Sequence, residues 1–169
     1  ISTSSAANKI IPLGDSITLG SSSGVADRDF WVSYRKALYD KLKAAGYVVD
    51  DEITGLPEIF VGTPTWISGE SVPDFDSDHE GHPGWRANEI VDGRVCYEAE
   101  GKLDEWLLSQ EPNIVLLHIG TNDVANGDED WNEIEDILVV IDDYESATGK
   151  AVWVVLSLII ERSCLPPLE

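Results

Sequence analysis

The chain has 169 residues, of which 43% are hydrophobic, and it carries 32 acidic against 11 basic residues. This length and composition suffice for one domain, residues 1–169, with a sizeable core. The formal net charge of -21 would repel phosphate backbones and anionic lipid surfaces, so nucleic acid is not an expected partner.

The first half of the chain alternates apolar strand patterns with helical ones. Residues 9–13 read as a short buried strand, which runs into Gly14, Asp15 and Ser16. A helical apolar face from Trp31 to Ala45 ends at Gly46. Residues 47–53 and 59–62 read as strands, and the Pro-, Gly- and Asp-rich stretch 63–83 as a working loop.

The second half continues the alternation. Residues 86–91 and 98–108 read as helices, 113–119 as a strand, and a helix follows with Asp128 as its N-cap and Gly149 at its end. The apolar, β-branched run 151–160 is typical of a strand buried on both faces. The pattern predicts an α/β fold of the doubly wound class, a parallel sheet with helices on both sides.

No apolar run reaches the ~20 residues that a membrane span needs, so no span is expected. Cys96 and Cys164 are far apart; they would form one disulfide in a secreted protein, or remain two buried thiols. The chain begins with neither a methionine nor a signal-peptide core, which indicates a processed or trimmed end. We expect a secreted protein.

Two polar turns follow predicted strands, and in a parallel sheet such turns meet at the carboxyl edge. Ser16 follows the first strand, and the segment 120–123 follows another. The Ser16 amide at a helix N-terminus, the Gly84 amide and the Asn122 side chain would together form an oxyanion hole. Each also has a structural alternative: a turn serine, a loop-ending glycine and a capping asparagine.

Three segments together carry a family resemblance: residues 11–18 (IPLGDSIT), 80–85 (EGHPGW) and 116–123 (LLHIGTND). They resemble the first three sequence blocks of the SGNH (GDSL) hydrolases, and most closely carbohydrate esterase family three, which includes acetyl xylan esterases. The resemblance implies a three-layer α/β/α sandwich with a parallel, flavodoxin-like sheet. It also implies Ser16 as nucleophile, with Gly84 and Asn122 joining the Ser16 amide in the oxyanion hole.

The chain departs from the family at its end, where the catalytic Asp-x-x-His block has no counterpart. We therefore expect the chain to stop early and to lack the last strand and helix of the fold. His79 or His82 is an alternative local base, because triads recur in different chain orders. His118 lies among apolar strand residues and is interpreted as a core histidine whose polar atoms are satisfied.

The acidic run from Asp74 to Glu80 alternates as the opening of a calcium loop does, but it lacks the glycine and distal glutamate of an EF-hand. A solvated acidic loop is the alternative to a calcium site. We expect no other metal and no cofactor.

Two functions follow from these residues. The first is a serine esterase that deacetylates a plant polysaccharide such as xylan through an acyl-enzyme on Ser16, with Asp15, His82 and Trp85 contacting substrate. The second is a carbohydrate- or ester-binding protein that lacks its general base. An uncovered sheet edge and apolar face also predict a homo-oligomer.

Overall fold

The structure is a computed structural model, and it describes residues 8–21, 24–47, 49–50, 57–63, 68–94, 101–127 and 132–159. In chain order its elements are β1 (Ile10–Gly14), α1 (Ser16–Leu19), a 3₁₀ turn (Arg28–Phe30), α2 (Ser33–Ala44), β2 (Val49–Asp50), β3 (Pro57–Glu58), β4 (Glu80–Gly81), α3 (Ala87–Asp92), α4 (Leu103–Gln110), β5 (Ile114–His118), α5 (Thr121–Asn126), α6 (Asn132–Thr148) and β6 (Trp153–Leu156).

The main sheet has four parallel strands in the order β4-β1-β5-β6. β1 lies in the middle because its apolar residues pair along both edges, with Ile10 to Gly14 opposite Ile114 to His118 of β5. On its other edge, Leu13 and Gly14 pair with Glu80 and Gly81. The chain thus leaves β1 toward one edge of the sheet and returns to the opposite one, as in flavodoxin-like folds, and this reversal places a crevice beyond the ends of β1 and β5.

Alternation along the strands divides the core into two layers. Ile11, Leu13, Val115 and Leu117 face a cluster built with α3, α4 and α6. The intervening residues Ile10, Ile114 and Leu116 face the other side, where Tyr39, Leu38 and Leu42 of α2 cover them. Helices therefore cover both faces of the sheet, which confirms the predicted three-layer α/β/α sandwich.

The middle of the first half differs from the prediction of two strands in a parallel sheet. β2 and β3 form a separate antiparallel pair, and residues 48 and 51–53 of the predicted 47–53 strand lie outside the described residues. The 59–62 segment meets β1 through one bridge, between Ile10 and Phe60. Propensity favoured strands here, but partner and direction depend on tertiary contacts.

The prediction that residues 151–160 form a strand buried on both faces is wrong. β6 spans four residues, Val152 and Val154 pack on the core, and Trp153 is 76% exposed on the opposite face. Val155 and Leu158 are exposed beside it. An apolar run indicates that a strand can be buried on both of its faces. The described neighbours of β6 cover only one face of that strand.

The exposed face and edge of β6 are the features on which a homo-oligomer was predicted, and that prediction stays untested. Among the described residues, no helix combines the length and apolar character required to cross a membrane. The predicted Asp128 N-cap, Cys96 and Cys164 lie outside the described residues.

Candidate active site

Strand register brings the three predicted oxyanion donors to one edge of the sheet. Gly14 of β1 pairs with Gly81 of β4 and His118 of β5, so all three strands end at the same level. Ser16, Gly84 and Asn122 follow these strand ends by two, three and four residues. Ser16 and Asn122 are half-buried and Gly84 is exposed, so the turns remain open to a ligand.

Close backbone approach explains the glycine that precedes Ser16. A Cβ added at Gly14 would lie 2.1 Å from the carbonyl oxygen of His118, a distance that no side chain tolerates. β1 and β5 can therefore bring their turns together only with glycine at this position. The same contact draws Ser16 toward the start of α5.

Asp15 holds the turn at Ser16 from inside. Its side chain caps α1 by accepting a hydrogen bond from the Ile17 amide at 2.8 Å. Burial raises the pKa of the Asp15 carboxyl, and the Ile17 amide opposes that rise. The carboxyl is fully buried, so its position favours a role in shaping the turn, and its expected contact with substrate stays untested.

α1 begins at Ser16, and the Ser16 amide is therefore one of the first N–H groups that a helix leaves without an internal partner. The helix has only four residues, and Gly20 ends it in a left-handed conformation with φ 96°. The serine hydroxyl and its own amide thus lie at the start of a short, tightly closed turn.

A second turn, from His82 to Trp85, carries Gly84. The Trp85 amide donates to the His82 carbonyl at 3.2 Å, and Gly84 has a φ of 76°. Proline followed by a glycine of positive φ is the arrangement of a type II turn. The closing bond uses the Trp85 amide, so the Gly84 N–H is not needed inside the turn.

Asn122 is tied to this second turn. Its side-chain Nδ2 donates to the Trp85 carbonyl at 2.7 Å, which leaves the second N–H of the amide available to a ligand. The neighbouring Asp123 carboxylate accepts from the Ala87 amide at 3.1 and 3.3 Å. The start of α5 and the Gly84 turn are therefore fastened together at two points.

His82 and Trp85, two of the predicted substrate contacts, lie in the core. Each is 1% exposed, and the His82 ring stacks on Trp85 at 4.3 Å and on Trp106 at 4.8 Å between ring centroids. His82 Nε2 lies 3.0 Å from Glu80 Oε2. This burial favours a packing role beneath the Gly84 turn, and the expected substrate contact stays a prediction.

The histidines considered as local bases are engaged elsewhere. His79 is buried, with Nδ1 accepting from the Gly81 amide at 2.9 Å and Nε2 3.0 Å from Ser68 Oγ. Within the part of the chain that the structure describes, no histidine forms a hydrogen bond with Ser16 Oγ. His118 is buried as predicted, although its Nδ1 has no partner among the described residues.

The acidic run directs its carboxylates to separate partners. Asp74 pairs with Lys43, and Asp76 Oδ2 accepts the amides of Ile59 and Phe60 at 2.7 Å each. Glu80 accepts from the Thr63 amide and pairs with His82. No cluster of three or more metal-ligating side chains occurs in the described ranges. The arrangement favours structural use of these acids, and the calcium site stays untested.

Sequence reasoning missed Arg35, whose guanidinium is fully buried behind the Ser16 turn. It donates to two carbonyls of α1, those of Thr18 at 3.0 Å and Leu19 at 3.2 Å. Burial lowers the pKa of Arg35 to about 10. The available signal was its spacing, four residues after Trp31 of the predicted apolar face.

Chemically, the three turns present a hydroxyl beside backbone and side-chain N–H groups. Donors of this kind stabilise the negative oxygen that forms when a nucleophile adds to a carbonyl. The arrangement therefore favours chemistry at a carbonyl carbon.

Comparison with known proteins gives relatives of one kind. The chain is 35% identical over 130 residues to a "Multidomain esterase" of Ruminococcus flavefaciens, covering 74% of this chain and 16% of that protein. The fold is similar to a family 3 carbohydrate esterase of Clostridium thermocellum, with a TM-score of 0.63 and 29% identity. It is also similar to an acetyl esterase solved with acetate ion, with a TM-score of 0.55 and 25% identity.

Each of these two solved structures matches 88% of this chain, and the chain spans 60% of the length of each solved chain. Residues 10–169 match the family described as GDSL-like Lipase/Acylhydrolase, a span that includes all three turns. The match covers nearly the whole sequence and agrees with the fold of the solved relatives, so the chain belongs to the GDSL-like (SGNH) lipases and acylhydrolases.

Proposed function

We propose that the chain is a serine carboxylic-ester hydrolase that removes acetyl groups from a plant polysaccharide such as xylan. One observation carries the proposal: register and hydrogen bonds gather Ser16, Gly84 and Asn122 at one edge of the sheet. Carbohydrate esterase and acetyl esterase are the names of two solved relatives, which supports acetylated sugar as the substrate class.

In the proposed first step, Ser16 Oγ attacks the ester carbonyl carbon and gives up its proton to solvent water, which also supplies the proton for the leaving sugar oxygen. The carbonyl oxygen becomes negative and accepts hydrogen bonds from the amides of Ser16 and Gly84 and from Asn122 Nδ2. The bond to the sugar oxygen then breaks, and the sugar leaves as an alcohol that takes up a proton. An acetyl group remains on Ser16.

In the second step, water attacks the acetyl carbonyl and the same donors stabilise the oxyanion. The bond to Ser16 Oγ breaks, the serine regains its proton, and acetate leaves. The acyl oxygen can come close to the Gly84 N–H because glycine carries no side chain. Loss of one donor should lower turnover about 100- to 1,000-fold.

A second function, binding or single acylation without turnover, is favoured by one specific observation. His79 and His82, the two histidines considered as local bases, are engaged with Ser68, Gly81 and Glu80, and no described histidine forms a hydrogen bond with Ser16 Oγ. Where no base activates water, an acetyl group on Ser16 persists. A protein that is acylated without turnover then differs from the hydrolase in the second step alone.

Hydrolysis of p-nitrophenyl acetate, followed by stopped flow, tests both functions. We expect a burst of p-nitrophenolate that Ser16→Ala abolishes, whereas Ser109→Ala, an exposed serine of α4, leaves it unchanged. A burst followed by steady release indicates the hydrolase; a burst alone, with acetyl-Ser16 visible by intact mass, indicates acylation without turnover. Equal rates for the wild type and Ser16→Ala would contradict the proposal.

The polysaccharide is tested separately, by acetate release from acetylated xylan against p-nitrophenyl butyrate as a longer acyl ester. Preference for acetyl groups supports the assigned substrate class. Equal activity on butyrate and no acetate from xylan would assign a general small-ester hydrolase instead. Secretion stays a prediction that these assays do not address.

A further inference from the structure

Ser16, the proposed nucleophile, lies on α1, a helix too short to keep its position without contacts from other elements. α1 is a single turn of four residues, and isolated turns of this length are unstable in water. Three backbone bonds close it: the Leu19 amide donates to the Asp15 carbonyl at 3.1 Å, and the amides of Gly20 and Ser21 donate to the Ser16 carbonyl at 2.9 and 3.0 Å. Its place relative to the Gly84 turn must come from outside.

Arg35 of α2 supplies one such contact. Its Nε donates to the Thr18 carbonyl and its Nη2 to the Leu19 carbonyl, which are the last carbonyls of α1. A cation at a helix C-terminus interacts favourably with these carbonyls and satisfies groups that a short helix leaves without partners. Arg35 thus binds the C-terminal end of α1, opposite Ser16.

The same guanidinium also holds the loop that leads to β4. Nη1 donates to the Ser77 carbonyl at 2.5 Å, and Nη2 donates to Ser68 Oγ at 2.8 Å. The Ser68 hydroxyl in turn donates to the Leu19 carbonyl at 3.0 Å. Arg35 and Ser68 therefore bind the same end of α1 and the same loop.

A chain of hydrogen bonds continues from Ser68 to the Gly84 turn. Because the Ser68 hydroxyl donates its hydrogen bond to the Leu19 carbonyl, its oxygen accepts from His79 Nε2 at 3.0 Å. His79 Nδ1 accepts from the Gly81 amide at 2.9 Å, and Gly81 lies three residues before Gly84. The chain runs from Arg35 through two buried side chains into β4.

Burying this network costs folding free energy, so a gain in stability alone does not explain it. Arg35, Ser68 and His79 are each at most 4% exposed, and a buried cation costs free energy unless it is well paired. Apolar residues of similar volume often stabilise a core as well as buried charges do. Arg35 contacts five acceptors, the four named above and the Trp31 carbonyl at 3.2 Å, and this number points instead to a need for fixed geometry.

We infer that Arg35 is a positioning residue that, together with Ser68, sets the location of Ser16 relative to the Gly84 amide. This inference rests on the proposed function, because the distance between Ser16 and the Gly84 amide matters only when both groups act on the same ester. A misplacement of about 1 Å can lower a reaction rate about 100-fold. Arg35 acts on the reaction through α1 and does not touch the ester.

The test compares Arg35→Met, Arg35→Lys and Ser68→Ala with Lys36→Met, whose ammonium pairs with Asp40 on the outside of the same helix. The first readout is the p-nitrophenyl acetate burst. We expect Arg35→Met to slow acylation about 100-fold with an unchanged KM. Arg35→Lys should restore part of the rate, because it keeps the charge and loses the fork of donors.

The second readout does not depend on catalysis. Amide hydrogen exchange of Leu19, Gly20 and Gly81 should become about tenfold faster in Arg35→Met, and less so in Ser68→Ala, while amides inside α6 keep their rates. A general loss of stability would accelerate all of them together. If Arg35→Met does not fold, Arg35→Lys and Ser68→Ala carry the same comparison.

Unchanged local exchange in the folded variants would overturn the inference. Faster amide exchange at Leu19, Gly20 and Gly81 with an unchanged burst rate would also overturn the inference, because Arg35 would then have a purely structural role. The proposed function fails separately, when Ser16→Ala hydrolyses the ester as the wild type does. Local exchange alone then decides whether Arg35 positions α1.

Discussion

Gly81→Ala tests whether the distance between β4 and α1 controls the reactivity of Ser16. A Cβ at Gly81 would lie 2.6 Å from the Leu19 amide nitrogen and 3.0 Å from Leu19 Cα. Both atoms belong to the backbone of α1, so no flexible side chain can move aside. Either α1 or β4 must shift as a unit.

The size of the shift follows from these distances. An ordinary van der Waals contact begins at 3.4 Å, so the two elements must separate by about 0.8 Å. Overpacking of this kind costs about 1–3 kcal/mol of folding stability. A displacement of the nucleophile on this scale should slow acylation of Ser16 by about 100-fold.

The assay measures the p-nitrophenyl acetate burst and, on the same samples, urea unfolding. Gly149→Ala is the control, because an added Cβ at Gly149 has no atom within 4 Å, while the positive φ of Gly149 (70°) makes alanine strained there. It should lose about 1 kcal/mol from backbone strain and keep the burst rate. A Gly81→Ala protein that loses stability but acylates as fast as Gly149→Ala would refute the reasoning.

Three further predictions concern the turn at Ser16, the acidic run and the exposed strand. Asp15→Asn keeps an N-cap and removes the buried charge. Because the folded pKa of Asp15 is raised, the stability of the wild type should fall as pH rises above 3.8. Urea midpoints of the variant should lack this slope. Asp76→Ala leaves the amides of Ile59 and Phe60 buried without their acceptor, and urea unfolding should show a loss of about 2 kcal/mol, which Asp76→Asn partly restores. Trp153→Gln should weaken any self-association through the exposed face of β6, seen as a lower sedimentation coefficient; a wild type that sediments as a monomer at micromolar concentration would contradict the expected oligomer.

Local pattern predicted most of the fold because each signal depends on neighbours in sequence. Short continuous apolar runs predicted β1 and β5, and the helical apolar face from Trp31 with Gly46 at its end predicted α2. The carboxyl-edge rule for parallel sheets then predicted that Ser16 and Asn122 lie at one edge. The register of β1 with β5 confirms that placement.

The burial of individual side chains was beyond the reach of sequence. His82 and Trp85 follow directly on an exposed-looking loop, yet stacking with Trp106 puts both in the core. The acids of the run 74–80 looked like one ligand set, but each turns to a different partner. Such contacts join residues far apart in the chain, and local pattern carries no information about them.

The sequence by itself determined the family, the alternation of the main strands and helices, and the three residues that could serve an oxyanion. Tertiary structure decided what holds those residues in place: the glycines that let β1, β4, β5 and α1 approach, and the buried cation of Arg35 behind α1. The physical reason is range. Periodicity and turn chemistry act over a few residues, whereas packing and the pairing of a buried charge are settled only when distant segments meet.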